Sequence, residues 1–221
     1  LHNFDVLAGY ESYNLKLQEL QGSNTKIYNP TIGELNNAIA SPPRVASFTN
    51  EYTTMGYLAR IQYDYDEKYF VSASYRRDAS SRFHPDNRWG NFGSVGLAWL
   101  INKENFMSNV SWIDMLKFKA SYGIQGNDNL GNYYAYADQY SVTNSNGDFA
   151  VSFSYKGNKD ITWETSYAFN TGFDFELLGN RLNGTVEYFN RKTVDLLYNQ
   201  PVPISMGYAT IPMNVGSIVN Q

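Results

Sequence analysis

The fold class is decided by two runs and the turn between them: Tyr57-Leu58-Ala59-Arg60-Ile61-Gln62-Tyr63-Asp64-Tyr65, then Asp66-Glu67-Lys68, then Tyr69-Phe70-Val71-Ser72-Ala73-Ser74-Tyr75-Arg76-Arg77-Asp78. Successive side chains of a strand point to opposite faces, so an apolar repeat of two marks a strand and one of 3.6 marks a helix. Here Tyr57, Ala59, Ile61, Tyr63 and Tyr65 fall on one face, with Leu58, Arg60, Gln62 and Asp64 on the other. After the turn, Tyr69, Val71, Ala73 and Tyr75 oppose Ser72, Ser74, Arg76 and Asp78. The two runs read as one hairpin with an aromatic face and a charged face.

Outward from this hairpin the same repeat of two recurs. Phe4, Val6, Ala8 and Tyr10 oppose Asn3, Asp5, Gly9 and Glu11, and Leu116, Phe118, Ala120 and Tyr122 oppose Lys117, Lys119, Ser121 and Gly123. A second hairpin follows, with Tyr167, Phe169, Phe173 and Phe175 opposite Asn170, Asp174 and Glu176, a turn at Gly179-Asn180, and Leu182, Val186 and Tyr188 opposite Asn183 and Glu187. With a weaker run over 94–99, the pattern predicts seven antiparallel strands and an eighth starting near Gly216. A short helix is expected only over 105–115. The uncharged stretch that begins at Leu196 is interrupted by Pro201, Pro203 and Pro212, so it is not a membrane helix.

Linker lengths supply a second, independent pattern. The first, third, fifth and seventh linkers are expected over 12–51, 79–89, 124–162 and 192–215, whereas the second and sixth are tight turns at Asp66 and Gly179. Outer-membrane barrels alternate short periplasmic turns with long extracellular loops in this way. The fourth linker, 102–115, breaks the alternation because it is longer than the third.

Composition narrows the function. Seventeen Lys+Arg against 21 Asp+Glu give a net charge of −4 and no basic face for nucleic acid. The absence of Cys removes disulfide frameworks, thiolate nucleophiles and cysteine metal sites. Nineteen Tyr, 13 Phe and 4 Trp stand beside a polar mean hydropathy of −0.46, a combination that alternating lipid-facing and water-facing positions would produce. An unpaired ion such as Arg60 or Asp174 does not fit a dry core but suits a watery lumen. Arg60, Gln62, Asp64, Ser72, Ser74, Arg76, Asp174 and Glu176 are therefore assigned to the lumen, and Tyr63, Tyr65, Tyr69 and Trp99 to a periplasmic aromatic girdle facing outer-membrane lipid. The competing architecture is a soluble carbohydrate-binding or adhesive β-sandwich with one wet face per sheet.

The run Tyr69 to Phe83, Asn87-Arg88-Trp89-Gly90, and Ser94-Val95-Gly96-Leu97-Ala98-Trp99 resembles the barrel of the SusC/RagA class of TonB-dependent transporters. Leu116 to Gly123, Gly126-Asn127-Asp128-Asn129, Thr162-Trp163-Glu164 and Asn170 to Asp174 continue the resemblance in the same order. It implies an all-β, antiparallel transmembrane barrel wall, seven to eight strands out of about 22, in the outer membrane of a Bacteroidetes-like bacterium. It also implies a partner lipoprotein of the SusD type, TonB engaged through a plug that these residues do not include, and uptake of oligosaccharides or peptides without catalysis. On this reading residues 1–221 form a partial barrel domain, open at both ends of the sequence.

Tyr133, Tyr134, Tyr136 and Tyr140, with Trp163 beyond, form the densest aromatic group in an expected loop. Two uses fit them: stacking on sugar rings, or packing of the loop on itself or on the lipoprotein. His84, with His2 as the second imidazole and no Cys, does not make a zinc site, and reads as part of a polar loop held by Arg-Asp pairs. Asn127-Asp128-Asn129 with Gly131 lacks the distal bidentate acid of a calcium loop and reads as a turn. No cofactor, metal or catalytic constellation is expected.

Overall fold

The computed structural model describes residues 1–39 and 44–221. Ten strands are present among these residues: β1 (His2–Ser23), β2 (Arg44–Tyr65), β3 (Tyr69–Ser80), β4 (Trp89–Leu100), β5 (Ile113–Asn127), β6 (Gln139–Ser145), β7 (Asp148–Tyr155), β8 (Glu164–Leu177), β9 (Leu182–Pro201) and β10 (Thr210–Asn220). Eight of them form one antiparallel sheet in the order β1-β2-β3-β4-β5-β8-β9-β10, and β6 and β7 pair as a separate hairpin. One continuous sheet excludes the two-sheet sandwich.

The register puts the expected sides together. Arg60 lies opposite Ser74, Gln62 opposite Ser72, Ser72 opposite Gly96 and Lys117 opposite Asp174, so these residues share one face. Asp5 of β1 and Glu187 of β9 line the same 590 Å³ hollow as Ser72, so the sheet curls around its polar face. The opposite, convex face is apolar and open, with Val6, Ile61, Val95, Leu97, Phe173 and Val186 exposed.

Two aromatic rows bound that band. At the turn end Tyr65, Tyr69 and Trp99 stack in series at 6.2 Å. At the other end Tyr57 packs on Tyr10 at 5.3 Å and on Trp89 at 6.3 Å, and the Arg77 guanidinium lies 5.0 Å above Trp89. Tyr57 and Tyr65 are separated by eight residues, about 26 Å along a strand and about 20 Å once tilted, close to the height of a lipid-facing band.

Three expectations about the connections are corrected. The linkers expected over 12–51 and 192–215 are largely strand, because β1 and β2 stay paired from His2↔Tyr65 to Ser23↔Arg44, and β9 and β10 from Arg191↔Asn220 to Pro201↔Thr210. Residues 40–43 of the first linker lie outside the described residues. Beyond the membrane both faces of a strand meet water, so the apolar alternation fades while backbone pairing continues. The helix expected over 105–115 is a single 3₁₀ turn at Asn105–Met107, and strand β5 already begins at Ile113. The fifth linker carries the β6–β7 hairpin, turned by Asn146 and Gly147, both at positive φ.

Candidate functional site

Among the described residues, the apolar side chains removed from solvent are Ala79, Phe83, Ala135, Ile161 and Pro212, and all of them lie at the loop end of the sheet rather than in its middle. Phe83, in the loop after β3, packs with Ala135 and Ile161 against Leu130, Tyr136, Trp163 and Leu197. Trp163, one residue before β8, sits 5.3 Å from Phe83 and 5.2 Å from Phe92, and its Nε1 donates to the Arg88 carbonyl at 2.9 Å. This knot ties three loop segments to Leu197 of β9 above the upper aromatic row.

A partly buried charge pair closes one side of the knot. The Arg82 guanidinium lies against the rings of both Tyr52, at 4.5 Å, and Tyr133, at 5.3 Å, a double cation–π contact. Its Nη1 donates to Asn129 Oδ1 at 2.9 Å and reaches Asp128 Oδ1 at 3.4 Å. Asp128 Oδ2 accepts from Tyr52 Oη at 2.8 Å and from Ser80 Oγ. Burial first, and the hydrogen bond to Asp128 second, push the Tyr52 phenol up to about 12. Asp128 is thus committed to structure, and Asn127 and Asn129 accept from the backbone N–H two residues on, as the turn reading expects. No cluster of His, Cys, Asp and Glu suited to a metal occurs among the described residues.

The five aromatic candidates separate. Tyr133 packs tilted against Tyr52 at 5.9 Å, Tyr134 Oη accepts from the Glu51 N–H at 3.0 Å, and Tyr136 meets the His84 ring edge-on at 6.0 Å. Tyr140 is away on the hairpin, packed on Phe153 at 5.6 Å. Trp163 lines a 440 Å³ hollow on the polar face together with Arg76, Asp78, Phe92 and Gln125. That hollow depends on Gly126: a Cβ there would stand 2.1 Å from the Phe92 ring. Tyr136, His84, Asp138 and Lys156 line a second, outer hollow of 560 Å³, where the Gly157 N–H and then Lys156 hold the Asp138 carboxyl below the ordinary carboxylate value.

Five of the eight polar candidates are paired through their side chains. Arg60 meets Asp5 at 3.8 Å, Asp64 accepts from Asn3 at 3.0 Å, and Ser74 bonds Ser94 at 2.8 Å. Arg76 bridges Asp78 at 2.7 Å and Glu11 at 2.9 Å, while Asp174 accepts from Lys119 at 3.0 Å and Thr185 at 2.9 Å. Gln62 and Ser72 line the 590 Å³ hollow, and Glu176 lies beside a bulge at Ile113/Met115. Arg82, Tyr52 and Phe92 are contributors that the sequence pattern did not single out, and Asp128 was read there only as part of a turn.

A sheet curled around a paired polar face, with a bare apolar outer band between two aromatic rows, defines the wall of an outer-membrane β-barrel. Residues 2–221 match the family described as TonB dependent receptor-like, beta-barrel, and the chain belongs to that family. Among curated relatives, TonB-dependent receptor P39 of Formosa agariphila is 42% identical over 74% of this chain, and TonB-dependent receptor SusC of Bacteroides thetaiotaomicron is 30% identical over 99% of it. The chain spans 16% and 22% of those proteins. Among solved structures, the RagAB peptide transporter superposes with a TM-score of 0.88 at 28% identity over 98% of this chain and 24% of its own. The RagAB peptide importer in its open-open state gives a TM-score of 0.83 at 29% identity over 99% of this chain and 24% of its own.

Proposed function

We propose that the chain forms wall and extracellular loops of a TonB-dependent importer that takes up oligosaccharides or peptides with a SusD-like lipoprotein at its outer mouth. The observation that carries this reading is the sorting of side chains in one curled sheet: ion pairs on the concave face, bare apolar residues on the convex face, and the buried knot outside both. In this assignment Arg60, Gln62, Asp64, Ser72, Ser74, Arg76, Asp174 and Glu176 face the lumen. Residues 1–221 are one stretch of a barrel whose plug and TonB contact are carried by other residues of the parent protein. No bond is made or broken by this segment.

Cargo contact is assigned first to Trp163, whose ring borders a hollow with Arg76 and Asp78, and then to Tyr136, beside Asp138 and Lys156. Aromatic faces next to paired charges suit either sugar rings or peptide side chains. Tyr133 and Tyr134 support the loops, and Tyr140 belongs to the surface offered to the lipoprotein. The likeness to the RagAB peptide transporter supports the peptide class. The test is to tag the full-length protein in its own bacterium, purify it in mild detergent and assay uptake by a deletion strain. A co-purifying lipoprotein and selective loss of oligosaccharide or peptide uptake are expected. Purification alone, with both uptakes intact, overturns the proposal.

A further inference from the structure

We infer that residues 101–112 form a foot in the periplasmic headgroup layer, with Glu104 standing where a lipid phosphate would stand and Phe106 and Trp112 entering the leaflet beside it. The inference rests on the outer-membrane reading and goes beyond it. Of the connections at the turn end, 66–68 and 178–181 are tight, whereas 101–112 contains two successive 3₁₀ turns, Ile101–Lys103 and Asn105–Met107. A barrel has no need of extra chain there simply to reverse direction.

Where this chain goes is fixed by Glu104. Its Oε1 accepts from Trp99 Nε1 at 3.0 Å and from Tyr69 Oη, two donors of the lower aromatic row on the convex, apolar side. The connection therefore folds outward, under the lipid-facing surface, rather than across the lumen. Interfacial Trp N–H and Tyr O–H groups ordinarily find their acceptors among headgroups and water. Here a carboxylate, 16% exposed, takes that role, with the Lys68 ammonium 4.0 Å from its other oxygen. An anion that accepts from the aromatic row, with an ammonium beside it, reproduces the charge pattern of a phosphoethanolamine headgroup.

The residues beyond Glu104 match that position. Phe106 is 67% exposed and Trp112 53% exposed, and the Trp112 carbonyl accepts from the N–H of Leu178, itself exposed in the next turn. Both rings are exposed in the connection that Glu104 fastens to the row of Tyr65, Tyr69 and Trp99. Lipid is the occupant because Glu104 bonds the connection to Tyr69 and Trp99, the row that bounds the apolar outer band.

The test uses the full-length transporter, spin-labelled at single introduced Cys residues and reconstituted in phosphatidylethanolamine/phosphatidylglycerol vesicles. Collision with oxygen, which concentrates in lipid, is compared with collision with a water-soluble nickel chelate. Labels at 106 and 112 should gain oxygen collision and lose nickel collision relative to a label at 67. Glu104→Ala should restore nickel access at 106, while Glu104→Gln, which keeps an acceptor, should restore less; heat-shifted mobility in SDS gels verifies that both variants fold. Nickel access at 106 and 112 equal to that at 67 overturns the inference, as does shielding from both reagents, the signature of a protein partner. Labels at 173 and 174 in the same barrel keep the two readings apart. A shielded 173 beside a wet 106 removes the foot and leaves the barrel.

Discussion

Phe173 and Asp174 are neighbours on β8 with opposite surroundings. Phe173 packs on Phe118 at 5.2 Å on the convex face, and Asp174 takes Lys119 and Thr185 on the concave one. Phe173→Arg should destabilise the barrel by about 2–4 kcal/mol, the cost of a cation at the lipid-facing midplane. Asp174→Asn should cost far less, and the shift of heat-induced mobility in SDS gels compares the two. A Cys at 174 should react with a small water-soluble thiol reagent and one at 173 should not; equal labelling would remove the lumen assignment on this strand. Tyr52 gives a second residue-level test, five positions beyond the upper aromatic row. Folding raises its phenol from near 10 to about 12, so the folded state holds the proton more tightly. The stability it adds is whole below about pH 10 and lost as pH rises through about 12. Tyr52→Phe should flatten the fall in melting temperature over that interval. The residues of the polar face were legible because a period of two assigns each side chain a face. Arg82, Asp128 and Tyr52 were not, because their meeting joins three segments far apart in sequence and leaves no periodic trace.

At the level of elements, the strands inside the membrane were legible and their extensions were not. Lipid on one side and water on the other impose the alternation that Tyr57 to Tyr65 displays, whereas at 12–23 and 44–51 water bathes both faces and no alternation is imposed. The β6–β7 hairpin did leave a signal, Asn146-Gly147, the dipeptide favoured in two-residue hairpin turns, and it was masked by the polar residues around it. Tyr140, Val142, Phe149, Val151 and Phe153 share one face of that hairpin by register, and Phe149 is 89% exposed. A two-stranded ribbon is marginal on its own in water, so this one gains from a covering partner. Replacing 139–155 of the full-length protein with a short Gly-Ser turn should leave the barrel's heat-shifted mobility unchanged and reduce the lipoprotein recovered with it. Undiminished recovery would assign the contact to other loops.

At the scale of the molecule, eight strands form one sheet with an apolar and a polar surface and enclose almost nothing between them; the side chains that lie inside are those of the knot at the loop end. The parent protein should accordingly fractionate with outer membranes and resist extraction by carbonate or salt, releasing only into detergent, which fractionation followed by immunoblotting would check. The placement of the core also has a calorimetric consequence. The large heat-capacity increment of protein unfolding, about 12–15 cal/mol/K per residue, arises when buried apolar groups become hydrated. In this wall the apolar groups outside the knot already face a hydrocarbon medium, and a micelle can go on covering them after the strands separate. Melting in detergent should therefore show an increment well below that range, with an unfolding enthalpy that changes little with temperature and a stability curve flatter than that of a water-soluble protein of equal length.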